Sequence, residues 1–173
     1  AFRDGGPIAS LGDASEFFLL TGFAPGKPYA DDISRLGPME QPEPRDIQRC
    51  DALCDYLVEV HRDTKRDNNL YQRQTRQLIG DHECIFGLID SYPDDDPLAT
   101  PQRLQDIELA ATRWRWRLKQ KPERLRRVHG DFHPWNLLFD DDDQLAVLDR
   151  SRGEYGEAAD DVTSITINYL FRA

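Results

Sequence analysis

The chain has 173 residues, of which 39% are hydrophobic and 31% are charged. This composition is typical of a globular protein and too apolar for a disordered one, and the length allows one domain with a substantial core. No apolar run approaches the roughly 20 residues of a membrane-spanning helix, and no secretory signal follows Ala1.

The net charge of −10 is distributed unevenly along the chain. Residues 113–127 contain eight Lys or Arg, whereas residues 140–161 carry a net charge of −7. An acidic surface disfavours binding to nucleic acid and tolerates cationic ligands. We therefore expect neither a nucleic acid nor a membrane as a partner.

The three cysteines, Cys50, Cys54 and Cys84, form no CxxC pair and are odd in number. This argues against a disulfide framework and favours a reducing, cytoplasmic setting. Cys50 and Cys54 share one face of a predicted helix, where we expect them to be buried as small hydrophobic side chains.

The chain begins with turn and strand signals. Residues 4–7 predict a turn, and residues 16–21, which are short, apolar and aromatic, predict a strand. Proline and glycine at residues 24–28 then interrupt the pattern, and a proline-rich loop leads to the first long helix.

Helical periodicity dominates the middle of the chain. A helix at about residues 45–62 is predicted by apolar residues at three- and four-residue steps. Its stripe consists of Ile47, Cys50, Leu53, Cys54, Leu57, Val60 and His61, and we interpret His61 as a packed core histidine.

Three more helices follow before the pattern changes. Residues 67–90 predict two shorter helices separated at Gly80, and residues 91–97 predict a loop. Thr100 and Pro101 are suited to begin the next helix. Its predicted buried stripe is Leu104, Ile107, Ala111, Trp114 and Leu118.

The last third predicts a small β-hairpin between helices. Residues 137–139 and 145–148 are apolar and flank an acidic turn at 140–143. Residues 150–157 predict a loop, and residues 158–171 a final helix with acidic residues in its first turn. The fold class expected from this order is α+β.

The chemistry is concentrated in the spacing of Asp131, Asn136 and Asp149. Phosphoryl transfer needs a carboxylate that accepts a proton from the attacking hydroxyl, and oxygen ligands for Mg²⁺. A tight loop can place Asp131 near the substrate and Asn136 on a metal, and a hairpin can return the chain so that Asp149 meets the same metal.

This pattern, His129-Gly-Asp131-x-x-x-x-Asn136, two apolar strands and Asp149, resembles the signature of the aminoglycoside phosphotransferase and choline kinase group, which has a protein-kinase-like fold. The resemblance implies that Asp131 is the catalytic base and that Asn136 and Asp149 are the magnesium ligands. Residues 156–162 resemble the family's following Gly-Asp-Pro-x-x-Asp-Leu segment, which implies that Asp161 supports the catalytic loop.

Two neighbouring histidines are expected to serve this loop. We expect His129 to orient it, and His133 either to touch phosphate or to fill space.

The resemblance extends upstream. Residues 57–61 are similar to the Leu-Ala-x-(Leu/Ile)-His stretch of the family's long helix, and residues 22–26 are similar to its interlobe hinge. The hinge match implies that Thr21, Gly22, Phe23 and Ala24 bind the nucleotide, with the carbonyl of Gly22 and the amide of Ala24 holding adenine.

Some family features lack a counterpart. No glycine-rich phosphate loop or phosphate-binding Lys precedes Phe17, and Arg150-Ser151 replaces the aromatic and acidic residues common after the metal-binding Asp. We therefore expect a fragment, with residues 1–23 as the end of an N-terminal lobe and hinge and residues 24–173 as a helical catalytic lobe truncated at its end. Its exposed N-terminal strands could pair in a homodimer.

The resulting hypothesis is a phosphotransferase that uses ATP or GTP with Mg²⁺ and a small hydroxyl-bearing acceptor, such as an aminoglycoside or another amine. One alternative is a metal-dependent hydrolase built on His129, Asp131 and His133. Another is a non-catalytic kinase-like module. The charged residues Arg150, Arg152, Glu154 and Glu157 either line an acceptor pocket or pair with one another at the surface.

Overall fold

The computed structural model describes residues 12, 16, 20–36, 41–82, 84–150 and 153–171. Its helices are α1 (Tyr29–Arg35), α2 (Pro44–His61), α3 (Asn68–Gly80), α4 (Ile85–Asp90), α5 (Pro101–Leu118) and α6 (Ala158–Leu170). Its strands are β1 (Lys27–Pro28), β2 (Leu125–Arg127), β3 (Leu137–Phe139), β4 (Leu145–Val147) and β5 (Tyr155–Glu157). The expected mixture of helices and a small antiparallel sheet is confirmed. No helix in the described part of the chain is long and apolar enough to cross a membrane.

Helix α2 confirms the predicted first long helix. Pro44 occupies its first turn, and the side chains of Glu43 and Asp46 form a capping box that satisfies backbone amides at the start. The prediction that Cys50 and Cys54 are buried is wrong, because both are exposed. They lie at the edge of the apolar stripe, where α2 borders a groove beside α6 and does not face the core.

Helices α3, α4 and α5 form at the predicted positions, but the buried stripe predicted for α5 is wrong. Among its five residues only Ala111 is fully buried, and Ile107 and Trp114 are 49% and 56% exposed. Helix α5 packs on α3 and α4 along a narrow contact. The apolar residues of α5 therefore extend over a wider face of the helix than α3 and α4 cover.

The predicted hairpin is confirmed as β3 and β4, which pair Leu137 with Val147. Helix α1 and strands β1, β2 and β5 were not predicted, and the loop predicted at residues 150–157 is wrong at its end, where β5 forms. Strand β1 pairs with β3, and β2 pairs with β5, so the sheets have the orders β1-β3-β4 and β2-β5. Strands of two or three residues are too short to show an alternation of apolar and polar side chains. They are identified only by their hydrogen bonds to a partner strand.

Gly26 is needed where the chain enters β1. Its φ of +129° is a conformation that residues with a side chain rarely adopt. A Cβ atom at this position would lie 2.8 Å from the carbonyl oxygen of Phe139. The close approach lets β1 pair with β3.

Most of the predicted N-terminal unit, residues 1–23, lies outside the described residues, as do most of its predicted strands and turn. Of the predicted strand at 16–21, Glu16, Leu20 and Thr21 are described, and they have no regular structure.

The core lies between α1, α2, α6 and the hairpin. Its buried members are Tyr29, Ile33, Leu53, Leu57, Phe132, Leu137, Phe139 and Ile165. Phe132 belongs to the loop before β3 and stacks on Tyr56 of α2, with ring centroids 5.5 Å apart. The polar loop around Asp131 is thereby anchored to the apolar interior.

Candidate active site

The loop between β2 and β3 carries Asp131 and makes a sharp turn at Gly130. The φ of Gly130 is +88°, which glycine adopts without strain. The turn directs His129 into the interior, where it is fully buried, and leaves Asp131 partly exposed.

Asp161 holds this loop from the first turn of α6. Its buried carboxylate accepts hydrogen bonds from the backbone N–H groups of His129 and Gly130, both at 2.8 Å. The Nε2 atom of His61, at the end of α2, lies 2.9 Å from the same carboxylate. A buried carboxylate needs such partners. His61 was not expected at the site, although residues 57–61 carried the family resemblance.

The imidazole of His129 joins the loop to the hairpin. Its Nδ1 accepts the N–H of Asp131 at 3.2 Å, and its Nε2 donates to the carbonyl of Leu148 at 2.8 Å. These bonds select the neutral tautomer with the proton on Nε2. Neither ring nitrogen then retains a lone pair for a metal, which weighs against the hydrolase alternative.

Asn136 and Asp149 meet at the same end of the hairpin. The N–H of Leu148 donates to the carbonyl of Asn136 at 2.8 Å, so Asp149 follows the residue opposite Asn136. Asp149 has a φ of +52°, a left-handed conformation that Asp tolerates better than most residues.

The side chain of Asn136 also connects to Asp131. Its amide nitrogen donates to the carbonyl of Asp131 at 3.0 Å and to the carboxylate at 3.4 Å. Both bonds are made by the amide nitrogen of Asn136, and the amide oxygen takes no part in them. The fold therefore places Asn136 in contact with Asp131, and it places Asp149 next to the residue that pairs with Asn136.

His133 lies beside Asp131 without sharing a short hydrogen bond. Its Nε2 is 3.6 Å from the Asp131 carboxylate, and its Nδ1 accepts the N–H of Trp135 at 3.2 Å. In the described part of the chain, no group of three or more His, Cys, Asp or Glu side chains is arranged to hold a metal. His129, Asp131 and His133 thus do not form the metal centre that the hydrolase alternative needs.

A model of the phosphotransferase enzyme family, APH, matches residues 6–173. The chain belongs to this family. The searches of curated proteins and of solved structures gave no match. Membership implies phosphotransferase chemistry of the kinase type, with a nucleotide co-substrate and usually a divalent metal ion.

The residues of this phosphotransferase fit a magnesium ion. The amide oxygen of Asn136 and the carboxylate of Asp149 are hard oxygen donors on adjacent strand ends. Magnesium commonly takes one or two protein oxygens and completes its shell with water and substrate phosphates. Two protein ligands are therefore sufficient here.

The nucleotide-binding residues expected for the phosphotransferase, Thr21 to Ala24, form an irregular segment that precedes β1. Phe23 is 91% exposed, and Thr21 and Gly22 are also exposed. Since β1 pairs with β3, this segment leads into the sheet whose central strand begins just after Asn136.

A cavity of about 670 Å³ opens on the other side of the loop, between α3 and the start of α6. Its walls include Gln74 and Gln77 from α3, Val128 and Gly130 from the loop, and Gly156 and Asp160. The volume is ordinary for a small-molecule site. The sequence did not reveal it, because its walls come from three segments that are separate along the chain.

Glu157 lies at the edge of this cavity in a buried polar cluster. Arg124 donates to both carboxylate oxygens, at 2.6 and 2.9 Å, and the hydroxyl of Tyr71 donates at 2.7 Å. Burial opposes ionisation of Glu157, but these donors outweigh it and hold the pKa of the carboxyl below its usual value. Burial and the adjacent carboxylate raise the pKa of Tyr71.

The other charged residues of this region also have partners. Glu154 pairs with Arg127 at the surface, and Arg150 donates to the carbonyl of Val128. Arg152 lies outside the described residues. Neither Glu154 nor Glu157 pairs within the described part of the group of four, because their partners are Arg127 and Arg124, and Glu157 also lines the cavity.

Proposed function

We propose that this phosphotransferase moves the terminal phosphate of ATP or GTP to a hydroxyl of a small molecule, with Asp131 as the base. The observation that carries the proposal is the junction of Asp131, Asn136 and Asp149 at one end of the hairpin. In phosphoryl transfer, positioning and charge neutralisation supply most of the catalysis. A loop fixed by buried hydrogen bonds suits that task.

Asp131 would act directly on the acceptor. Its carboxylate accepts the proton of the attacking hydroxyl as the oxygen bonds to the terminal phosphorus, and the nucleoside diphosphate leaves. The hydrogen bond from Asn136 orients this carboxylate, and His133 stands close enough to contact a phosphate oxygen. Asp161 and His129 position the loop without touching the reactants.

The nucleotide would approach from the side of β1. The carbonyl of Gly22 and the amide of Ala24 are proposed to pair with adenine, and the exposed ring of Phe23 offers a stacking surface. Asn136 and Asp149 are proposed to hold magnesium, which would neutralise charge on the phosphates.

The acceptor would enter through the cavity beside Gly130. The cavity reaches the catalytic loop from the side of α3, whereas the sheet containing β1 lies along the hairpin. Donor and acceptor would therefore approach Asp131 from different sides, as a direct transfer requires.

The proposal is tested by incubating the purified protein with Mg–ATP or Mg–GTP and a panel of hydroxyl compounds, and by following ³¹P NMR. A new phosphomonoester that requires both nucleotide and acceptor is expected. Zinc-dependent hydrolysis without nucleotide would favour the hydrolase alternative. Nucleotide binding without any transfer would favour a non-catalytic module.

A further inference from the structure

Of the acidic residues in the stretch at 140–161, only Glu157 and Asp160 are among the described residues that line the acceptor cavity. Asp143 pairs with Arg45 and Arg49 at the turn of the hairpin, and Asp161 is buried beneath the loop. The net charge of this stretch is spread over separate parts of the fold. It is therefore a poor guide to the charge of the acceptor.

The carboxylate of Glu157, at the cavity edge, is also neutralised locally. Arg124 binds both of its oxygens, and Tyr71 supplies a third hydrogen bond. A carboxylate engaged in this way has little capacity left for an ammonium group of a ligand. A ligand that displaced these internal donors would leave the partly exposed guanidinium of Arg124 and the buried hydroxyl of Tyr71 with weaker partners.

Neutral side chains make up most of the interior of the cavity, and the partly buried Asp160 adds one carboxylate. Gln74 and Gln77 are partly buried on α3, and Leu78, Val128 and Gly156 complete this surface. Each glutamine amide can both donate and accept hydrogen bonds. Neutral hydroxyl groups have the same dual capacity, so they match this lining.

Polar side chains stand at the rim, and those of Arg73 and Asp81 have opposite charges. Arg73, Asp81 and His82 all line the cavity and are exposed to solvent. Exposed charges interact weakly with ligands because water and salt screen them. A ligand with several ammonium groups would lose hydration inside the cavity, and the carboxylates of Asp160 and of the paired Glu157 are too few to match those groups.

We propose that the acceptor is a neutral polyhydroxylated molecule, such as a monosaccharide or a cyclitol, and not a polyamine. This inference rests on the proposed function of the site, and it replaces an amine-bearing acceptor with a neutral one. The glutamine amides would orient the acceptor beside Gly130, which precedes Asp131 in the catalytic loop.

Binding is tested without turnover, in the presence of magnesium and a non-hydrolysable ATP analogue. Saturation-transfer NMR titrations would compare D-ribose, D-fructose and myo-inositol with kanamycin A. At least one neutral compound is expected to bind about tenfold tighter than kanamycin A, a difference of about 1.4 kcal/mol. Stronger binding of kanamycin A, or no binding of any neutral compound, would overturn the inference.

A variant that replaces two neutral glutamines with glutamates tests whether these side chains cause the preference for a neutral acceptor. Gln74→Glu combined with Gln77→Glu adds two carboxylates to the interior, and the order of affinities is expected to reverse in favour of kanamycin A. The matched control, Gln105→Glu, adds the same type of charge on the exposed face of α5 and should preserve the original order. An unchanged order in the double variant would contradict the assignment of these amides.

The ³¹P assay separates this inference from the proposed function. Transfer of phosphate to kanamycin A in clear preference to the neutral compounds would support the phosphotransferase function and reject the neutral acceptor. Selective binding of a neutral compound without transfer would support the acceptor class and count against the catalytic role.

Discussion

The Nε2 atom of His129 donates a hydrogen bond of 2.8 Å to the carbonyl oxygen of Leu148. Through this bond a buried imidazole connects the loop that carries Asp131 with the strand end that precedes Asp149. Because the Nδ1 atom is also occupied, the ring acts as a fixed bridge between the two segments. This side chain therefore helps to fix the relative position of the proposed base and the proposed metal ligand.

Replacing the proposed base should abolish transfer. Asp131→Asn keeps the size of the side chain and removes the proton acceptor, so turnover is expected to fall by about 10²–10⁴-fold while nucleotide affinity changes little. Steady-state kinetics and calorimetric titration with Mg–ATP measure both quantities. Asp141→Asn, at the exposed hairpin turn, is the control. Turnover within tenfold of the unmodified protein would exclude Asp131 as the base.

Removing the proposed metal ligand should weaken nucleotide binding and turnover together. Asp149→Ala deletes a carboxylate that is expected to contact the metal bridging the phosphates. The magnesium concentration for half-maximal activity should rise by about tenfold or more. Asp142→Ala provides an exposed acidic control. The same magnesium dependence in Asp149→Ala and the unmodified protein would remove Asp149 from the site.

Asp161→Asn should destabilise the protein and loosen the loop. The carboxylate accepts two buried N–H groups, and an amide would place a donor against one of them. A loss of about 3–5 kcal/mol in unfolding free energy is expected from urea denaturation. Amide hydrogen exchange at His129 and Gly130 should accelerate. Asp55→Asn, exposed on α2, should change neither property.

Glu157→Gln should remove a pH-dependent contribution to stability. The folded-state pKa of Glu157 lies below its usual value, so the unfolded chain binds more protons at mildly acidic pH and the contribution grows with pH. At pH 7 the free energy of unfolding of the unmodified protein should be higher than that of the variant by about 1–3 kcal/mol. This advantage should shrink as the pH falls below about 4.3.

Urea unfolding of both proteins between pH 3 and pH 7 measures this difference. Glu154→Gln breaks a more exposed pair with Arg127 and should cost less than about 1 kcal/mol. A difference for Glu157→Gln that stays constant across the pH range would show that the charge of the carboxylate is not the cause.

Gly26→Ala should disturb the pairing of β1 with β3. The added methyl group would meet backbone atoms of Phe139 at 2.8–2.9 Å in a conformation that alanine rarely adopts. A loss of about 1–3 kcal/mol in thermal or urea unfolding is expected. Gly80→Ala, where a Cβ atom meets nothing within 4 Å, is the matched control and should be neutral or stabilising. Equal stability of the two variants would contradict the close contact.

Local sequence patterns predicted the long elements of this phosphotransferase. Helix α2 has apolar periodicity and a proline at its start, and β3 and β4 flank an acidic turn. These signals act over a few residues, so they are visible without the fold. The spacing of Asp131, Asn136 and Asp149 is also local, since a single loop and hairpin connect them.

Other features depended on contacts between distant segments. Strands β1 and β5 exist through partners far along the chain, and the predicted burial of Cys50 and Trp114 failed because neighbouring elements do not cover them. The sequence by itself led to the prediction that Asp131, Asn136 and Asp149 perform phosphoryl transfer. Only the tertiary structure decided that Glu157 is neutralised by Arg124 and that glutamine amides line the cavity, because burial and charge pairing depend on which distant side chains meet.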